Sequence, residues 1–346
     1  MNSFYNFILK FLDIMIGDTK SKIGSALLLV GSTLQISFVM EPDKYTLIIG
    51  DGTDIFSMLL MLIGASLLIH RYFTIKDDSI TLFYGATLKN MDNKSPKNVL
   101  PRREKYKTTV KDLNRINSYS KDEVIKDYKF NKTLLGERIE NKESVKVYIA
   151  ALGSFPYLFL LGALVRNAYS NVKFLDFNRY KDGGKWYILP PFKTTDNLVT
   201  HKLLYNQDNT TIDDEIDRLN NNDADVGIAL GYTFPIKKEV IPIPLQNNTL
   251  YLTSSEETRH DILSNEEAQE VLLKDISYYL NSLSKPNRNI HLFVSAQSSM
   301  CMNMGKYYMD NAHWSIILYN YNNETTTHDW GIKFNKGVVE HSHSVF

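Results

Sequence analysis

Residues 289–322 read NIHLFVSAQSSMCMNMGKYYMDNAHWSIILYNYN, and their order of patterns decides the fold. Residues 290–296 (IHLFVSA) form an almost wholly apolar run, the mark of a strand buried on both faces. A short polar turn at 297–299 leads to a helix over 300–309 and a further strand over 313–321 (HWSIILYNY). Upstream, residues 266–283 (EEAQEVLLKDISYYLNSL) have the spacing of an amphipathic helix. The same order occurs earlier in the chain. Residues 145–150 (VKVYIA) read as a strand, 151–156 (ALGSFP) as a turn, 156–169 as an apolar helix with proline first, and 172–178 (VKFLDFN) as a strand. Strand, tight turn, helix, strand opens a parallel α/β unit. Residues 226–232, 241–245 and 250–253 between the two copies are strand-like. The expectation is an α/β domain over 144–346, made of two Rossmann-like units in tandem.

The N-terminal region has a different character. Residues 23–40 (IGSALLLVGSTLQISFVM) carry no charge, and residues 55–73 (IFSMLLMLIGASLLIHRYF) carry none before Arg71. A hydrocarbon core of about 30 Å needs roughly 20 helical residues. The two runs therefore predict a two-helix transmembrane hairpin over 23–73. The piece between them, residues 41–54 (EPDKYTLIIGDGTD), is acidic with Lys44 its only base, whereas Lys10, Lys20, Lys22, Arg71 and Lys76 flank the pair. The excess of basic residues on one side places both termini in the cytoplasm and the short loop outside, a two-pass arrangement. Residues 1–22, apolar and aromatic over 2–16, read as an interfacial amphipathic helix. Gly24, Gly31, Gly64, Ala65 and Ser66 are small enough for close helix contact. Residues 74–143 form a juxtamembrane connector: a strand at 79–86, a basic loop at 88–107, and a helix over 120–142 opened by Ser120 with Glu123 in a capping-box pattern.

The 346 residues balance 39 bases against 39 acids, so no general attraction for duplex nucleic acid exists. The single cysteine, Cys301, excludes an internal disulfide and agrees with a reducing cytoplasm.

The run at 289–322 resembles the closing signature of the SAVED domain. In that family an apolar strand, a polar turn, a helix with a Leu/Met-Gly pair and an aromatic-rich strand follow in this order; here the pair is Met304-Gly305. The runs VKVYIAALGSFPYLFLLGALVRNA and DADVGIALGYT are similar to the first half of such a domain. The turn QSSM departs from the Ala/Pro-rich turn of many members. With the apolar N-terminal pair, the chain resembles transmembrane–SAVED effectors of bacterial CBASS-type antiphage systems. The resemblance implies two tandem CARF-like units that bind a cyclic di- or trinucleotide made by a partner nucleotidyltransferase, with no cofactor, metal or catalysis. It also implies that gain or loss of this ligand drives homo-oligomerisation through the SAVED domain and the membrane helices, disrupting the bilayer and killing or arresting the cell.

In open α/β sheets ligands bind beyond the carboxyl ends of the strands, where helix N-termini offer free N–H groups to anions. This nominates Leu152, Gly153, Ser154 and Phe155 in the first turn and Gln297, Ser298, Ser299 and Met300 in the second. Asn178, Arg179 and Tyr180 follow a strand, and Lys185 and Trp186 lie in the succeeding glycine-containing turn. Arg179 and Lys185 could balance phosphate charge, while Tyr180 or Trp186 could stack on a base. Gly231 and Tyr232 end another strand. Each also has a structural reading: Gly153 serves a tight turn, and Ser154 or Ser298 caps a helix.

The alternative from another class is a membrane-anchored hydrolase or nucleotide-degrading enzyme. His260-Asp261, His291, His313 and His328-Asp329 supply residue types, but no G-x-S-x-G, Walker or H-E-x-x-H motif is present. His341 and His343 lack neighbouring ligands for a metal. A membrane-anchored scaffold without a ligand is the third possibility.

Overall fold

The computed structural model describes residues 23–28, 36–41, 44–49, 59–69, 80–86, 95–105, 108–113, 120–139, 146–166, 171–178, 184–190, 199–205, 210–255, 263, 265–309 and 315–341. The chain divides into two units, Met1–Ile80 with Pro101–Thr108, and Thr81–Leu100 with Thr109–Phe346.

In the first unit, residues 23–28 form helix α1, followed by strands β1 (Ile36–Glu41) and β2 (Lys44–Ile49), which pair as an antiparallel hairpin, and by helix α2 (residues 59–69). Helices α1 and α2 touch at glycines: a Cβ on Gly64 would lie 2.7 Å from the Gly24 carbonyl oxygen. Gly24 and Gly64 thus act as the small contact positions expected of them, while Gly31 falls outside the described residues.

The predicted spanning hairpin requires correction. The first apolar stretch is not one helix, because its second half, Ile36–Met40, is strand. The expected external loop likewise carries strand β2. The reason is local: ISFVME and KYTLII are rich in β-branched and aromatic residues, and Pro42-Asp43 between them is a turn-forming pair. Among the described residues no helix is long and apolar enough to cross a membrane. The proposed interfacial helix over 2–16 lies outside the described residues.

The second unit holds two sheets. Strands β3 (Ile80–Ala86), β4 (Thr108–Asp112), β5 (Lys146–Leu152), β6 (Asn171–Asn178) and β7 (Lys185–Ile188) form a five-stranded sheet in the order β4-β3-β5-β6-β7. Short helix α3 (Arg102–Lys105) belongs to the first unit, whereas helix α4 (Lys121–Ile139) precedes β5. The sheet therefore takes in strands from the stretch read as a connector. Strands β5 and β6 are parallel and joined through helix α5 (Phe155–Leu164); β7 returns antiparallel to β6. Lys185 and Trp186 consequently lie in a strand, not in the expected turn.

The second sheet is built from β8 (His201–Leu203), β9 (Val226–Gly231), β10 (Thr249–Ser254), β11 (Ile290–Ser295), β12 (Ile316–Asn322), β13 (Thr327–Asn335) and β14 (Val338–His341), in the order β14-β13-β12-β11-β9-β10-β8. Strands β10, β9, β11 and β12 are parallel, and the edges are antiparallel. Helix α6 (Ile212–Asn220) opens with a full capping box between Thr211 and Asp214, helix α7 (Glu266–Leu283) with the Asn265 carboxamide accepting from Ala268 N, and helix α8 (Ser298–Tyr307) leads from β11 towards β12. Strands β8, β13 and β14 and helix α6 have no counterpart in the sequence reading, and His341 sits in an edge strand instead of a tail. The segment read as a strand over 241–245 contains a 3-10 turn, Ile243–Leu245; Pro242 and Pro244 lack the N–H a ladder needs.

Helix α5 is apolar around its whole circumference and is buried almost throughout. It crosses α8 at a pair of glycines. A Cβ on Gly162 would lie 1.8 Å from Met302 O, and one on Gly305 1.9 Å from Phe159 O, so only hydrogen fits at either position. The Met-Gly pair that marks the second helix thus meets Leu161-Gly162 in the first. This crossing ties the two parallel units together and sets the spacing of their N-terminal turns.

Candidate functional site

A cavity of about 270 Å³ lies where the turn from β5 into α5 meets the turn from β11 into α8. It is lined by Leu152, Gly153, Ser154, Phe155 and Leu158 from the first turn and helix, and by Ser295, Ala296, Gln297, Ser298 and Cys301 from the second. The strand ends add Asp176, Phe177 and Asn178 on one side and Asn320 and Tyr321 on the other, with Tyr187, Thr233, Phe234 and Val294 completing it.

The two contributions correspond residue by residue. Aligning Gly162 with Gly305 pairs Ser154 with Gln297, Phe155 with Ser298 and Leu158 with Cys301. Leu158 N donates to Ser154 O, and Cys301 N to Gln297 O, each at 3.1 Å. The parallel registers carry the match into the next strands: Ile149 faces Phe174 as Leu292 faces Leu318, which pairs Asp176 with Asn320 and Phe177 with Tyr321. Two helix N-termini from equivalent places therefore open on one cavity, and each brings free N–H groups and a partial positive charge.

The side chains divide into those already occupied and those with spare capacity. Asp176 Oδ2 accepts from the Ser299 hydroxyl at 2.8 Å and Oδ1 from Phe177 N at 2.9 Å. Ser299 in turn accepts from Gln269 Nε2 at 2.8 Å, and Asn303 Nδ2 donates to Gln269 Oε1 at 2.8 Å. Burial pushes the Asp176 carboxyl up to about 6, against the lowering effect of its hydrogen bonds to Ser299 and Phe177. Gln297 is spent on structure as well: its Oε1 accepts from Leu263 N and its Nε2 donates to the Tyr187 hydroxyl. By contrast, among the described residues the buried Ser154 hydroxyl has no hydrogen-bond partner, and it does not cap its helix. Burial also pushes the Cys301 thiol well above its ordinary range, which makes it an inert packing group. Among the described residues, no Lys, Arg or His lines the cavity. Charge compensation for an anion would fall to backbone N–H groups, hydroxyls and amides.

The nominated residues separate accordingly. Leu152, Gly153, Ser154, Phe155, Asn178, Gln297 and Ser298 line the cavity. Ser299 lies behind it, holding Asp176, and Met300 is core. Trp186 is 2% exposed and packed edge-on against Tyr84 and Phe177, so no ring face is open for stacking. Tyr232 is fully buried with its hydroxyl 2.6 Å from His201 Nε2; its neighbours Thr233 and Phe234 reach the cavity instead. The backbone at Gly231 packs against Phe234 and Pro235. Lys185 is exposed on β7 and does not line the cavity. Arg179 and Tyr180 lie outside the described residues. Asp176, Phe177, Asn320 and Tyr321 were missed, although the rule that ligands gather at carboxyl ends of strands points to them.

The histidines of the hydrolase alternative take structural places. His291 lies 3.1 Å from the Tyr319 hydroxyl and 3.3 Å from Asp225 Oδ2, and His328 is held by Val240 O at 3.0 Å. His260, His313 and His343 fall outside the described residues; among the described residues no group of side chains suited to a metal occurs.

Two parallel half-units of an α/β module thus share one cavity at their helix N-termini. Residues 129–334 match the SAVED family, the SMODS-associated and fused to various effectors sensor domain. The chain belongs to this family. No curated protein sequence matches the chain. Among solved structures it is similar to the Cap4 SAVED/CARF-domain containing receptor of Acinetobacter baumannii. With the cyclic trinucleotide 3'3'3'-cAAA the receptor shows 13% identity and a TM-score of 0.46, over 81% of this chain and 59% of that one. With 2'3'3'-cAAA the values are 13% and 0.47 over the same shares, and a third structure gives 14% and 0.42 over 81% and 57%. The chain thus spans less than two thirds of the receptor's length.

Proposed function

We propose that this chain is a sensor and effector of bacterial antiphage immunity whose SAVED domain binds a cyclic oligonucleotide in the cavity between Ser154 and Ser298. The observation that carries the reading is the convergence of two equivalent helix N-termini, with the unpartnered Ser154 hydroxyl, on a cavity free of described cations. A ring of phosphodiesters presents anionic groups at intervals, and helix N-termini accept anions without a dedicated base. The chain acts by binding and turns nothing over. The test is calorimetry of the full chain with cyclic di- and trinucleotides, including both cyclic triadenylates. Binding at micromolar concentration or tighter is expected, with the ligand recovered intact; absence of binding by every ring overturns the reading, and turnover revives a nucleotide-degrading enzyme.

The first unit is the effector on this reading and acts at the cytoplasmic face of the inner membrane. What supports this is the apolar character of α2, whose Leu59, Leu62, Ile63 and Ile69 are exposed. A change in ligand state clusters several copies, and their apolar faces together disturb the bilayer. Flotation with liposomes should carry the full chain upward, and Leu62→Glu with Ile63→Glu should leave it at the bottom; equal flotation of both proteins would remove this surface from the mechanism.

A further inference from the structure

Asn320 is 5% exposed and lines the cavity, and it takes no part in the hydrogen bonds that Asp176, Ser299, Gln269 and Gln297 make. An amide at a cavity wall offers a donor and an acceptor to a ligand. Its equivalent in the other half, Asp176, is held by Ser299 and Phe177 N and has little capacity left. Beside Asn320 stands Tyr321, 42% exposed, its ring edge-on to His328 at 5.3 Å. The ladder between β12 and β13 is broken between these two residues: Asn320 faces Trp330 and Tyr321 faces His328, so Asp329 is an extra residue on β13. A bulge is where a sheet re-aims its side chains, and here both neighbours line the cavity.

We propose that Asn320 and Tyr321 form a base-reading pair, the amide hydrogen-bonding the edge of one ligand base and the tyrosine ring stacking on its face. The inference rests on the cyclic-oligonucleotide reading and makes position 320 the determinant of base preference. A carboxamide offers a donor beside an acceptor, which matches a base edge with the same pair reversed, as adenine presents N6–H beside N7. Stacking on Tyr321 is indifferent to sequence, since every base has a π-face. The two residues therefore divide selectivity from affinity.

The experiment measures dissociation constants of cyclic triadenylate, tricytidylate, triguanylate and triuridylate for the full-length wild type, Asn320→Ala, Asn320→Leu and Tyr321→Ala. Wild type should favour one base. Both Asn320 variants should weaken that ring at least about tenfold and level the four affinities. Tyr321→Ala should weaken all four by a similar factor, about tenfold. Leucine refills the space of the amide, so melting temperature checks that at least one Asn320 variant keeps its fold. A wild type without base preference, or Asn320 variants that weaken all rings equally or none, overturns the inference while leaving cyclic-oligonucleotide binding in place. A wild type that binds no ring of any size removes both.

Discussion

The two halves of the sensor, β5-α5-β6 and β11-α8-β12, share a backbone and differ in chemistry at almost every matched position of the cavity. Leu152, Gly153, Ser154, Phe155 and Leu158 stand on one side where Ser295, Ala296, Gln297, Ser298 and Cys301 stand on the other. Asp176 and Phe177 face their counterparts Asn320 and Tyr321 in the same way. The first half is mostly apolar, with Ser154, Asn178 and one restrained carboxylate; the second is more polar and uncharged. On the proposed reading, backbone geometry fixes where a ligand sits, through paired helix N-termini, and the side chains are free to treat its two sides differently. What must be equal in both halves is the glycine crossing, and that is where the comparison breaks most easily.

Gly162→Ala and Gly305→Ala should be the most damaging changes, and about equally so. Each new methyl would fall within 2 Å of a backbone carbonyl oxygen on the opposing helix, at Met302 and Phe159, and backbone cannot rotate away as a side chain can. Overpacking of this kind costs about 3 kcal/mol or more. Urea unfolding monitored by circular dichroism measures it. A tolerated alanine at one glycine alone would show that the crossing is not the symmetric hinge of the two halves.

The second difference is a titration present in one half only. Burial raises the Asp176 carboxyl from its ordinary 3.8 to about 6, so the folded state favours its protonated form. Its contribution to stability is full below about pH 4 and is lost as pH rises through about 6, a change of roughly 2–3 kcal/mol. Asp176→Asn should remove this loss and leave the opposite trend set by His328, whose imidazole burial lowers to about 4, so that stability rises with pH over the interval. Asn320→Ala, at the matched position, should leave the pH slope as in wild type. Thermal unfolding from pH 4 to pH 7 compares the three proteins; a pH profile in Asp176→Asn identical to that of wild type assigns the titration elsewhere.

The sequence revealed the parts governed by strong, local patterns. The almost wholly apolar run 290–296 coincides with the buried parallel strand Ile290–Ser295, and the amphipathic spacing of 266–283 coincides with helix Glu266–Leu283. Edge strands escaped because β13 and β14 mix polar and apolar residues as loops do, and Ile36–Glu41 was misread because an uncharged run long enough for a span does not distinguish helix from strand. At the site, the two turns were legible because each follows a strand and opens a helix. Trp186 was overvalued because its type suggests stacking, while packing against Tyr84 and Phe177 takes its faces. Asp176 and Asn320 were passed over because a search for phosphate partners looks for cations. Their match depends on strand register, which one run of residues does not display.

The smallest expected effect concerns the rim. Asn178, which lines the cavity, is directly opposite Lys185 in the antiparallel pairing of β6 with β7, and opposed residues share a face of the sheet. In the other half the matched residue Asn322 is opposite Thr327. One rim therefore carries a cation and its counterpart does not. An exposed charge contributes about 0.2–1 kcal/mol, and salt screens it over about 8 Å at physiological ionic strength. Lys185→Ala should weaken a bound cyclic nucleotide less than about fivefold at low salt and leave it unchanged at high salt. Thr327→Lys should strengthen binding by a similar factor if the ligand's phosphates lie evenly about the two halves. Calorimetry at two salt concentrations separates the cases: a gain from Thr327→Lys matching the loss from Lys185→Ala places phosphate at both rims. A loss without a gain means that the polar half holds the base, as Asn320 and Tyr321 require, and the cationic half holds the charge.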